Sequence, residues 1–168
     1  MHRRQFARVI SYVAFSAMAI LCAALHGFAQ FPYNAPSAAS AFSIPESQLI
    51  QPEALNRLLL AGGPDKPIVF QVGSHLMFAE AHIAGSVFAG SGSQPGGLQL
   101  LASKAASINK KKLIVLYCGC CPWNRCPNVG PAYKQLRDLG FTNVKVLYLA
   151  NNFGDDWVNK GYRVEHGQ

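Results

Sequence analysis

From residue 45 onward, apolar positions switch repeatedly between helical and strand spacing. Residues 51–62, QPEALNRLLLAG, carry Leu55, Leu58 and Leu59 at helical spacing behind a proline and an acid, and stop at Gly62, which predicts a helix. PIVFQVG (67–73) is a short apolar strand, SHLMFAEAHIAGS (74–86) has a helical centre around residues 76–79, and SVFAG (86–90) is a second short strand. LQLLASKAASI (98–108) reads as a helix. KLIVLYC (112–118) is apolar on both faces, as a strand inside a parallel sheet must be. GPAYKQLRDLG (130–140) is a helix with Pro131 at its first position, Ala132, Leu136 and Leu139 on one face and Gly140 as its stop. NVKVLYLA (143–150) is another strand, and DDWVNKGYRV (155–164) a terminal helix and turn. The alternation predicts an α/β domain with a mainly parallel sheet.

This pattern places Cys118 at the carboxyl end of a central strand, where the following loop leads to a helix N-terminus. Ligands bind at this edge of open α/β sheets, because unpaired backbone N–H groups converge there. Four of the five cysteines, Cys118, Cys120, Cys121 and Cys126, lie within LIVLYCGCCPWNRCPN. The cluster supports four chemistries. A thiolate nucleophile could use the N–H groups, and the C-x-x-C of Cys118 and Cys121 could cycle as a dithiol. Two disulfides could pin the loop in an oxidising compartment. Alternatively, all four thiolates could hold a metal ion or cluster, although four ligands so close in sequence are hard to wrap around one ion.

The N-terminus changes the setting of that chemistry. Residues 1–29 have an arginine-bearing start, an apolar stretch at 9–25 and small residues at Gly27 and Ala29, the layout of a secretory signal peptide cut after Ala29. Arg3-Arg4 also fits a twin-arginine signal, and an uncleaved stretch 9–25 would instead be a membrane anchor. The expected location is therefore the periplasm or the exterior. Residues 30–44, rich in Pro, Ala and Ser, read as a flexible tether, leaving 45–168 as one domain. The net charge of +7 includes Arg3, Arg4 and Arg8 of the leader, which leaves +4 without them. Lys110-Lys111-Lys112 precedes a strand as a solvated turn, so nucleic acid is not an expected partner.

Three segments in order resemble a single rhodanese-like domain. These are IVFQVGSHLMFAEAHIAGS, with Phe78, His82, Ile83 and Gly85 on matching positions; IVLYC, ending on the cysteine; and LRDLGFTNVKVLYLANNFGDDWVNKGYRV, similar to the family's Gly-Phe, Trp and Gly-Tyr-x-Val ending. They span residues 49–164. The resemblance implies a three-layer α/β domain with a mainly parallel central sheet and helices on both faces. It also implies a sulfurtransferase of the thiosulfate type, in which Cys118 carries a persulfide without a cofactor. Gly119, Cys120, Cys121, Trp123, Arg125 and Cys126 would make the catalytic loop, with Arg125 binding an anionic donor or supporting the thiolate. The expected partners are a small sulfur donor such as thiosulfate and a thiophilic acceptor, with the protein a monomer. His82 would be a structural hydrogen-bonding residue, and Trp123 would wall the pocket or meet a partner.

The chain departs from that pattern. Gln71 stands where the family has an aspartate and Gly73 where it has an arginine, so a family salt bridge is missing. Asn151-Asn152 replace paired glycines, a change that a left-handed asparagine would tolerate. The loop after Cys118 is several residues longer than usual, and Pro122 and Pro127 each remove an N–H. Cys121 is placed to resolve a persulfide on Cys118. Cys120, five residues before Arg125, keeps open a shifted active site. Against the catalytic reading stands a non-catalytic rhodanese-fold module, or a thiol–disulfide redox protein, whose four cysteines form disulfides or bind metal.

Overall fold

The structure is a computed structural model that describes residues 44–167. The leader 1–29, the candidate anchor 9–25 and all but the last residue of the tether lie outside the described residues. Among the described residues, no helix is long and apolar enough to cross a membrane.

Five parallel strands form the central sheet in the order β1 (Leu49–Ile50), β6 (Val144–Leu147), β5 (Ile114–Tyr117), β2 (Ile68–Gln71) and β4 (Val87–Phe88). Strand β5 is the middle one, and all four of its residues are buried, which explains its uninterrupted apolar run. Alternation along it sends Ile114, Leu116 and Cys118 to one face, and Val115 and Tyr117 to the other. The first face packs on α3 (Pro95–Ala105) and α4 (Val129–Asp138) through Leu101, Ala105, Val129, Ala132, Tyr133 and Leu136. The second packs on α1 (Pro52–Ala61) through Leu55, and on α5 (Phe153–Asp156) through Phe153, with Trp157 beyond it. These are the expected three layers, with helices on both faces. A short antiparallel pair, β3 (His82–Ile83) with β7 (Val164–Glu165), stands apart from the main sheet.

Helix α1 runs as its sequence predicts, from a proline in its first turn to Gly62 at φ +64°, whose N–H bonds the Leu58 carbonyl. Helix α2 (His75–Glu80) is capped by Ser74, whose hydroxyl accepts from the Met77 N–H. It begins at His75, which is exposed.

Several boundaries differ from the sequence expectation. Helix α3 starts at Pro95 rather than residue 98, because Gly96 and Gly97 hide its first turn from propensity. Gly97 is needed there, since a Cβ would lie 2.0 Å from the Ser91 carbonyl oxygen. Helix α4 starts at Val129, so Pro131 is its third residue. A missing N–H is harmless anywhere in a first turn, and the spacing alone could not separate these positions. The terminal helix ends at Asp156 and continues as a 3-10 turn, Val158–Lys160. It breaks at Trp157, which is buried and donates its indole N–H to the Arg163 carbonyl at 3.1 Å. Asn152 is extended at φ −160° rather than left-handed and caps α5 by accepting from the Asp155 N–H at 2.9 Å. Ile44, the last residue assigned to the tether, is 6% exposed and packs in the core beside α4.

Candidate functional site

Cys118 immediately follows β5 and is 3% exposed. Its alternation with Leu116 turns its sulfur toward the α3–α4 layer, at the end of the sheet where the loops after β2, β4, β5 and β6 meet. Gly119, at φ +97°, then reverses the chain, and its carbonyl accepts from the Phe153 N–H at 3.0 Å. Beyond it, the Trp123 N–H bonds the Leu149 carbonyl at 2.9 Å, and Trp123–Arg125 forms a 3-10 turn. The enlarged loop is thereby tied to the segment after β6.

The sequence-selected residues separate into two sets. The sulfurs of Cys118, Cys120 and Cys126 all lie within 4.8 Å of one another, with Cys118 and Cys120 at 3.4 Å. Cys121 is outside this group and touches Cys120 at 3.1 Å, so the thiols closest to Cys118 are Cys120 and Cys126 rather than Cys121. All four thiols are free. Trp123 packs against the α3–α4 side of the core with its ring 6.4 Å from that of Tyr148. Arg125 is exposed; its backbone N–H bonds the Pro122 carbonyl at 2.9 Å, and among the described residues no hydrogen bond or ion pair holds its guanidinium. His82 is buried, donates from Nδ1 to the Phe78 carbonyl at 2.8 Å and stacks on the Phe78 ring, a structural role.

Two buried side chains that the sequence did not single out as functional complete the surroundings of Cys118. The Asn128 amide donates from Nδ2 to the Cys118 sulfur at 3.3 Å. Its Oδ1 accepts from the Ser93 N–H at 2.9 Å and the Ser91 hydroxyl at 2.7 Å. Gln71 donates from Nε2 to the Cys118 carbonyl at 3.1 Å and accepts from the Gly73 N–H at 3.1 Å. The position of the missing salt bridge therefore holds a neutral clamp between the β2 and β5 loops. Gly73 leaves room for both groups, since a Cβ would lie 2.7 Å from Gln71 Nε2 and 3.0 Å from the Cys118 sulfur. The faint signals were Gln71, a polar residue ending an apolar strand, and Asn128, an asparagine ahead of a helix.

This setting lowers the Cys118 pKa to about 6. A hydrogen bond from the Cys126 thiol is the largest cause, with burial opposing it and the Cys120 N–H and the Asn128 amide adding to the lowering. The Cys120 thiol is pushed up to about 12, chiefly by burial and by hydrogen bonding to Cys121 and Cys118. Cys126 is also pushed upward, because its proton is shared with Cys118, while the Asn128 and Val129 N–H groups at the start of α4 act against that rise. At neutral pH the arrangement offers a thiolate on Cys118 flanked by two protonated thiols. Access runs the other way: Cys120 is exposed and lines a cleft of about 410 Å³ with Met77, Phe153 and Val158, while Cys118 lies inward of it.

The parallel sheet with helices on both faces is a fold shared with solved structures. The rhodanese-like domain of the Alr3790 protein from Anabaena sp. superposes with a TM-score of 0.52 at 20% identity, over 71% of this chain and 79% of that one. This chain has a rhodanese-like fold. Among other proteins sharing it, BH2092 from Bacillus halodurans gives a TM-score of 0.57 at 22% identity, over 71% of this chain and 77% of that one. RPA3614 from Rhodopseudomonas palustris gives 0.52 at 18%, over 70% and 84%. It is a protein of unknown function, a possible tyrosine phosphatase. A rhodanese-like fold thus places the cysteine loop without specifying its reaction. No protein-family model matches the chain, and no curated protein matches it.

Proposed function

We propose that this chain is an exported sulfurtransferase that carries sulfane sulfur as a persulfide on Cys118. The observation that carries this reading is the placement of the Cys118 sulfur at the carboxyl end of the middle strand, with the Asn128 amide 3.3 Å away. The lowered pKa supports it, because attack needs a thiolate. The Cys118 thiolate attacks the outer sulfur of a donor such as thiosulfate. The new S–S bond forms as the donor's S–S bond breaks, and sulfite leaves with the electron pair. A thiolate acceptor then attacks the outer sulfur of the persulfide and departs carrying it, returning the Cys118 thiolate. No cofactor takes part. Arg125, exposed on the loop, serves as the cation that meets the anionic donor. The signal-like leader 1–29 and the Pro-, Ala- and Ser-rich stretch before Ile44 support an exported domain, which acts as a monomer.

The test is incubation of the reduced chain with thiosulfate followed by peptide mass spectrometry. The expected result is a gain of one sulfur atom on the Cys118 peptide, absent in Cys118→Ser. An adduct on Cys120 that persists in that variant would move the site to the exposed thiol.

A second reading, thiol–disulfide exchange, draws on the short sulfur contacts of Cys120 with Cys118 and Cys121. It predicts a reversible disulfide within the loop and no sulfur gain from thiosulfate.

A further inference from the structure

A persulfide carrier needs one thiol, and this loop gathers three around one point. Their sulfurs are supplied by different supports. Cys118 is fixed by the end of β5, Cys120 by the left-handed turn at Gly119, and Cys126 by the approach to α4. All three lie within 4.8 Å of one another, and no histidine or carboxylate among the described residues joins them. Among the described residues, the fourth thiol, Cys121, meets the Cys120 sulfur at 3.1 Å and lies outside the group.

The polar groups facing these sulfurs are donors. The Asn128 amide meets Cys118 at 3.3 Å, the Cys120 N–H faces Cys118, and the Asn128 and Val129 N–H groups face Cys126. Donors around sulfur offset accumulated negative charge, and metal–thiolate sites use them to orient their ligands. Asn128 is itself held by Ser91 and Ser93, so its donor direction is fixed before any ion arrives.

We propose that Cys118, Cys120 and Cys126 form a three-thiolate site for a soft monovalent metal ion of the cuprous class. Thiolates without oxygen or nitrogen partners select soft ions. Zinc in a structural site takes four protein ligands, and here the group supplies three. A cuprous ion is satisfied by trigonal sulfur, exchanges its solvent for three thiolates as the Cys120 and Cys126 thiol protons leave to water, and changes no oxidation state. Exposed Cys120 is the entry side. The site goes beyond the sulfur-carrier reading and does not depend on it, but both use Cys118, so a bound ion would block sulfur loading.

The experiment uses the full chain, reduced and handled without oxygen, titrated with cuprous ion against the chromophoric competitor bicinchoninate, with zinc titrated separately against a zinc indicator. The expected result is one cuprous ion retained per chain, with three sulfur neighbours by X-ray absorption. Cys121→Ser should retain it equally. Cys120→Ser, at an exposed position, and Cys126→Ser should each weaken retention by at least about 100-fold. The absorption measurement needs no variant, so misfolding of a substituted chain leaves the proposal falsifiable. Loss of the ion to the competitor by the unsubstituted chain would overturn it. So would a Cys121→Ser defect as large as the others, or preferential retention of zinc with four sulfurs. Thiosulfate loading of the metal-free chain separates this outcome from failure of the sulfur-carrier reading.

Discussion

Asn128 and Cys118 are joined by an amide-to-sulfur hydrogen bond of 3.3 Å, and the same amide oxygen holds the Ser91–Ser93 loop. One side chain therefore both supports the thiolate and fastens a neighbouring loop to it.

The two roles of Asn128 can be separated by substitution. Asn128→Asp keeps the acceptor for Ser91 and Ser93 but replaces the donor with a buried negative charge, so the alkylation midpoint of Cys118 should rise more than in Asn128→Ala. Asn128→Ala removes the acceptor shared by the Ser93 N–H and the Ser91 hydroxyl, which keeps Ser93 Oγ at 3.2 Å, together with the donor to Cys118, and should cost about 1–3 kcal/mol. Iodoacetamide kinetics across pH and urea denaturation distinguish the two effects.

The metal-free chain should alkylate at Cys118 with a rate that rises about tenfold per pH unit at low pH and levels off above about 6. A lowered thiol pKa means that the reactive thiolate is present above that value and lost below it. Cys126→Ala removes the largest stabilising hydrogen bond, so its midpoint should move up toward the ordinary thiol range. A native midpoint near 8.5, the value of a free cysteine, would remove Cys118 as the thiolate.

Gly73→Ala forces a Cβ to within 3.0 Å of the Cys118 sulfur and closer still to Gln71. The expected destabilisation is about 1–3 kcal/mol, with slower thiosulfate loading. Gly130→Ala is the contrast, since a Cβ there meets nothing within 4 Å and α4 gains a better helix former. It should be neutral or stabilising by up to about 1 kcal/mol. Equilibrium denaturation of both variants reads the difference.

Ile44 tests where the folded domain begins. It is buried against the α3–α4 side of the core, so Ile44→Ala should destabilise the chain by about 2 kcal/mol, whereas a change in a solvated tether would be silent. A lower thermal midpoint with unaltered far-UV dichroism is the expected signature.

The parts of the fold legible in the sequence are those whose burial is periodic. Strands β2, β5 and β6 and helices α1 and α4 each repeat an apolar signal over at least four residues. Of the four two-residue strands, β4 is marked by the apolar run SVFAG while β1, β3 and β7 carry no period, and Trp157 stops a helix for a tertiary reason that its neighbours do not announce. At the site, alternation along β5 was enough to place Cys118. The grouping of Cys120 and Cys126 around it, with Cys121 outside, depends on the turn at Gly119 and the start of α4. Spacing pointed instead to Cys121, because a C-x-x-C pattern suits thiols on a helical turn, and this loop is not helical between Cys118 and Pro122.

The Gln71 clamp has a consequence for how the pocket responds to its surroundings. A carboxylate bridging the same two loops would release them as it took up a proton and would weaken as salt increased. A carboxamide has no proton to gain and no net charge to screen, so acidification can silence the sulfur without opening the walls around it. The Gln71 contacts thus keep their form while the reactivity of Cys118 follows the acidity of the medium.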